Sequence, residues 1–236
     1  DILYSYAICG LFLFPLRSVK PKYLFLIAGI LMVLFTFKST WMAHEPLRLK
    51  KESAIIQKID TNRVKLTEDQ KEILGKWEGF QEKQKPESKQ KEADTETRKV
   101  KGSYSGLFSY FADINFMLQT TDFYHNGFLD CLIFMIIGIG LFKLNILTGE
   151  RSKQFYIAMA LIGYVIAFPL AYRNLHLAVS TKFDVIKMLE RSLIGTYEVR
   201  RLGLTLGHLG MIMFFYKQGW FRFLFNAWGK VGQMAF

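Results

Sequence analysis

Residues 2–16 and 23–37 form two apolar runs with no charge inside either, hinged by RSVKPK. The hinge holds Arg17, Lys20 and Lys22 and no acid. A helix on the surface of a water-soluble protein keeps one polar face, so runs apolar on every side call for lipid or a very large core. This pattern predicts a helical hairpin that crosses a bilayer and turns on the cytoplasmic side. A span needs roughly 20 mostly apolar residues. The second run reaches that length through Met42, with Lys38 snorkelling and Trp41 at the interface. The first run starts at Asp1 with no initiator Met, and another apolar run is only opening at 231–236, so both ends are expected to be cut from a longer chain.

Apolar runs recur at 128–142, 154–172 and 202–216. The expected fold is therefore all-α: a polytopic transmembrane helix bundle of about five spans, with amphipathic interfacial helices and a charged extracytoplasmic insert. The expected parts are a hairpin over 1–43, the insert over 44–101, and over 102–236 an amphipathic helix, three spans and an interfacial C-terminal segment. The short loops at 17–22, 143–153 and 217–230 are each net positive and fall on one side by alternation, which assigns that side to the cytoplasm. The insert and residues 173–201 then lie outside. The expected location is the bacterial inner membrane, multi-pass.

Over 236 residues the net charge is +11, with 51% hydrophobic and 16% aromatic residues. Mean hydropathy is only +0.15, so the apolar excess is concentrated in segments. A charge of that sign in a soluble protein suggests nucleic acid. Here loops beside anionic lipid account for it, and no zinc spacing, RNA-binding signature or aromatic-interleaved basic patch is present. No nucleic-acid partner is expected; membrane lipids are. Cys9 and Cys131 both lie in apolar runs and read as buried thiols. No metal site is expected, and nothing names a cofactor.

The insert mixes both charge signs. Thr67 and Gln70 have the spacing of a capping box, opening a helix that places Ile73, Leu74, Trp77 and Phe80 on one face. Residues 81–99 have little to bury and read as a solvated tether or frayed helix; the other reading of 45–101 is a docking arm for a protein partner. Residues 102–125 carry aromatics at helical spacing and suit a membrane surface. Asn126–Gly127 reads as a turn, Pro169 as a kink, and 182–197 as a second amphipathic helix.

Ionisable residues inside spans are functional candidates because they are costly there. His208 stands in the fifth span among Gly203, Gly207 and Gly210 and suits a catalytic general base. The plain alternative is a packed histidine bonded to a backbone carbonyl. Asp1 is a substrate-binding candidate or a helix cap. Tyr4 and Tyr6 line the same cavity or sit as interfacial tyrosines. Asp122 and His125 suit an acid–base pair, or a cap and a wet histidine. Arg173 suits an anionic group, or a membrane-edge anchor; Arg200 and Arg201 beside Glu198 invite the same two readings.

Three patches carry a resemblance: DILYSYAICG from Asp1 to Gly10, IGIGLFKLNI from Ile137 to Ile146, and GKVGQMAF from Gly229 to Phe236. Together they resemble the YeiB-like family of bacterial inner-membrane proteins, a domain of unknown function. That family shows a Gly-Asp-Ile-Leu patch, a Gly-rich span followed by a basic residue, and a Gly-Arg-Met-Ala patch, where this chain has Gln233 in place of Arg. Its earlier spans have no counterpart here. The resemblance implies kinship with polytopic acyltransferases, and so an acyl donor and an envelope glycan or lipid as acceptor; a non-catalytic subunit and a transporter are the alternatives.

Overall fold

A computed structural model describes residues 2–59, 65–193 and 195–234. Asp1 lies outside them. The described residues form helices and connections with no strand. Three helical runs are long and apolar enough to cross a membrane: Pro21–Ile56, Tyr104–Lys143 and Lys153–Ser180. Their flanks carry outward-facing Leu26, Ile30, Val33, Leu161, Ile162 and Val165, an apolar exterior compatible with lipid.

Helix α1 (Ile2–Leu13) passes through a tight turn at Phe14–Ser18 into α2 (Pro21–Ala43), which has Pro21 at its first position. The 23 residues of α2 span about 34 Å, enough for the hydrocarbon layer. His44 marks a near-continuous passage into α3 (Glu45–Ile56). Helix α4 (Glu68–Gln84) opens on the expected capping box: Gln70 N–H donates to Thr67 Oγ1 at 3.3 Å, and Thr67 N–H to Gln70 Oε1 at 2.9 Å. Trp77 is buried and stacks on Phe80, and α4 packs on α3. Residues 86–100 form a full helix, α5 (Pro86–Val100), which buries no residue.

Helix α6 (Tyr104–Met117) runs through a widened π-helical stretch, Leu118–Gly127, straight into α7 (Phe128–Lys143). The turn expected at Asn126–Gly127 is thus absent. Buried Phe123 holds the stretch helical, packed edge-on to Tyr4 and Phe128. Helix α8 (Lys153–Ser180) continues through Pro169 and ends eight residues past the expected boundary. The second amphipathic helix is shorter than expected: α9 is Val185–Arg191, capped by Asp184, which accepts from Lys187 N–H at 3.1 Å. That bond and the nearby lysine hold the Asp184 carboxyl below its ordinary range. Gly195, with φ +72°, breaks the chain there, so Tyr197 belongs to α10 (Thr196–Gln218). Helix α11 is Arg222–Met234. Neither α1, with 12 described residues, nor α10, with three charged residues in its first two turns, is among the three membrane-competent runs.

Two packed units result. In the first, α1, α2 and α7 bury Cys9, Leu24, Ala28, Ile133 and Ile136. Both cysteines are free thiols; the Cys9 Sγ–H donates to the Phe128 carbonyl at 3.8 Å. In the second, α8 and α10 meet backbone to backbone. A Cβ on Gly163 would stand 2.5 Å from the Gly203 carbonyl oxygen, and one on Gly210 would stand 2.7 Å from that of Tyr156. Small residues allow such closeness, and dispersion between the helices then holds them where lipid gives no hydrophobic drive. The expected basic loops gather at one end. Lys143 Nζ donates to the carbonyls of Arg17 and Val19, and Lys217 Nζ to those of Gly149 and Arg151.

Gly163→Val is expected to lower stability by about 3 kcal/mol, because backbone rather than a yielding side chain blocks the new methyls. Gly138→Ala meets nothing within 4 Å and should melt with the natural protein. Thermal unfolding in detergent checks both.

Candidate functional site

At the end opposite the basic loops, the end of α2, the start of α7, the end of α8, α9 and the start of α10 line an open cavity of about 770 Å³. The antiparallel packing of α2 on α7 and of α8 on α10 brings these four ends together. The charged groups on its wall are Asp122, Asp130, Glu198, Arg200 and Arg201, with His44 beside them.

Asp130 and Arg201 form an ion pair through Oδ1 and Nη2, joining the two packed units. Each side chain is 30% exposed. The guanidinium also lies 4.2 Å above the Phe134 ring and 5.6 Å from that of Tyr197. The Arg201 charge is thus compensated on two sides, by carboxylate and by ring faces.

Glu198 is the third residue of α10 and only 6% exposed, yet it makes no hydrogen bond or ion pair among the described residues. Gly195 offers no side chain to cap α10, and Gly195, Thr196 and Tyr197 line the cavity beside Glu198. A carboxylate suits the positive end of the helix dipole. Arg200 also lines the cavity, half-buried, with the Tyr197 ring 5.5 Å from its guanidinium and no acid paired to it among the described residues. Beside the cavity, Arg173 Nη2 donates to the Arg191 carbonyl at 3.0 Å, while its Nη1 is buried with no partner.

The residues singled out in the sequence fall in different places. Asp122 is on the cavity wall, accepting from Asn126 Nδ2 at 3.2 Å. His125 is not on that wall; its Nδ1 is 2.8 Å from the Thr121 carbonyl oxygen. The widened helix turns residues four apart toward each other here, so Asp122 meets Asn126 rather than His125. Tyr4 shares a 2.7 Å hydrogen bond with Tyr124, hydroxyl to hydroxyl, and Tyr6 is exposed. His208 is exposed in mid-helix, its Nδ1 2.7 Å from the Leu204 carbonyl oxygen and its ring edge-on to Tyr164. It lies away from the cavity. Asp130 and Glu198 stand outside the candidates that the sequence offers, because no local spacing discloses a partner 71 positions away, as Arg201 is from Asp130. Among the described residues no three His, Cys, Asp or Glu side chains group as a metal site.

Arg201→Met is expected to cost about 2 kcal/mol, since it strands the half-buried Asp130 charge. Asp130→Asn combined with Arg201→Met should recover at least half of that loss. A double-mutant cycle on melting temperature in detergent measures the coupling.

Residues 141–236, from the end of α7 through α11, match the family described as "Protein of unknown function (DUF418)". No curated protein and no solved structure matches the chain. The family match takes in Glu198, Arg200 and Arg201, and with the apolar helices it fits a membrane protein.

Proposed function

We propose that this chain is a multi-pass protein of the bacterial inner membrane, and that the cavity receives the acceptor in acyl transfer to an envelope glycan or lipid. In this reading α1, α2, α7, α8 and α10 cross the bilayer. The loops at 17–22, 143–153 and 217–230 face the cytoplasm, and the insert and the cavity face outward. The gathered cations at the opposite end support that orientation.

The observation that carries the proposal is Glu198: a carboxylate with no partner among the described residues, lining a cavity large enough for a ligand. Such a group can accept the proton of a hydroxyl or amine. In the transfer, the acceptor oxygen or nitrogen attacks the thioester carbonyl carbon. A new C–O or C–N bond forms as the acceptor proton passes to Glu198; the C–S bond breaks, and the departing thiolate takes that proton from Glu198 and leaves as the thiol. Arg200 stands ready for the negative charge that develops. The acyl donor enters through the resemblance to acyltransferases. A second reading, a non-catalytic subunit that docks a protein partner through 45–101, is favoured by α5, which buries none of its residues in this chain.

Full-length protein in nanodiscs, given a labelled acyl-thioester and an envelope extract, should label a lipid or glycan. Glu198→Gln should slow this at least 100-fold, while His208→Ala should stay near the natural rate. Loss of activity in His208→Ala with Glu198→Gln still active would move the chemistry to mid-span. No labelling at all, together with a protein that co-purifies only when 45–101 is present, would replace transfer with docking. Orientation is checked separately by cysteine labelling of intact cells in a Cys9→Ser, Cys131→Ser background. Gln90→Cys should label from outside, and Lys20→Cys only after permeabilisation.

A further inference from the structure

Along α10 the charged wall of the cavity gives way to apolar clefts. Glu198, Leu202 and Leu206 follow one another at four-residue steps and share one stripe of α10. Leu202 and Leu206 form walls of two apolar clefts. One, of about 350 Å³, lies between α8 and α10 against Met159, Ile162 and Gly163. The other, of about 170 Å³, lies between α10 and the α2–α7 pair. Chamber and clefts are separate spaces with no lining residue in common, and about one helical turn of α10 separates Glu198 from Leu202.

The charges in the chamber are out of balance. Asp122, Asp130 and Glu198 stand against Arg200 and Arg201. Asp130 and Arg201 satisfy each other. Left over are the Glu198 carboxylate on the cavity wall, a half-buried guanidinium and the more exposed Asp122. His44 is bonded back to the Thr40 carbonyl at 2.8 Å, so it does not meet the carboxylate need. An occupant that completes this site carries a cationic hydrogen-bond donor for Glu198, an anion for Arg200, and an apolar tail for the cleft.

We propose that the chamber binds a zwitterionic phospholipid with a primary ammonium head: the ammonium on Glu198, the phosphate on Arg200 and one acyl chain between α8 and α10. This rests on the cavity being a binding site, as argued above, but not on acyl transfer. A primary ammonium offers three N–H donors, and a guanidinium recognises phosphate through paired donors. A glycerol head leaves the Glu198 charge uncompensated. A trimethylammonium head carries the charge but donates no hydrogen bond.

The test uses full-length protein, delipidated in detergent and titrated with phosphatidylethanolamine, phosphatidylcholine or phosphatidylglycerol of identical chains, with bound lipid counted by native mass spectrometry. Phosphatidylethanolamine should bind at least 10-fold more tightly than the other two. Glu198→Gln should erase its advantage over phosphatidylcholine. Arg200→Gln should weaken both by a similar factor, and Met159→Trp, which fills the cleft, should weaken all three. Melting temperatures close to the natural protein's establish that the variants are folded. Equal binding of the three lipids, or a preference that survives Glu198→Gln, overturns the proposal. A preserved lipid preference with no acyl transfer sinks only the transfer reading. Transfer to a glycan with no lipid preference sinks only this one.

Discussion

The seam between α8 and α10 fixes where everything else at the cavity end can be. Gly163, Gly203, Gly207 and Gly210 bring two backbones to distances that no side chain permits. Bulky apolar contacts in lipid allow a helix to slide or rotate, because lipid tails replace protein side chains at little cost. Backbone against backbone allows far less, since a rotation replaces a missing Cβ with one that collides. The register of α10 against α8 thereby sets the height and direction of its first turn. That turn carries Glu198, Arg200 and Arg201.

The second unit is set by different means. The α1, α2 and α7 cluster relies on close-packed Leu, Ile, Ala and Phe, with Cys9 at its centre. The polar contact that crosses between the two units at the cavity end is the Asp130–Arg201 pair. At the opposite end lysine side chains, Lys143 and Lys217, reach across to otherwise open carbonyls of the connecting turns. Charge therefore has distinct tasks at the two ends: closing backbone turns at one, and joining two helical units around a cavity at the other.

How much of this the sequence discloses depends on the range of the interaction. The capping box at Thr67 and Gln70 is local and was readable from its spacing. So were the apolar runs, since lipid solubility is a property of each segment alone. The glycine-rich run at 202–216 announces close packing, but its partner is not fixed by α10 itself. The failures come where tertiary packing overrides local chemistry. Asn126–Gly127 has turn composition, yet Phe123 packs between Tyr4 and Phe128 and keeps the chain helical. His208 is a different case: both the base and the carbonyl-bonded histidine are legible in its place among glycines, and its Nδ1 lies 2.7 Å from the Leu204 carbonyl oxygen with its ring edge-on to Tyr164 of α8. The Asp130–Arg201 pair and the exposure of Glu198 to the cavity depend on helices brought together from distant parts of the chain.

Glu198 and Arg200 set the chemistry of the chamber. Neither is paired with an opposite charge among the described residues, and the dipole at the start of α10 favours the carboxylate. Two opposite charges so close in one chamber would relieve each other if their side chains met. They are instead held on different sides of the first turn, two residues apart, by a helix that the glycine seam prevents from rotating. The separation leaves room for a ligand carrying both complementary charges to satisfy each at once, and such a ligand would stabilise the folded chain by binding it.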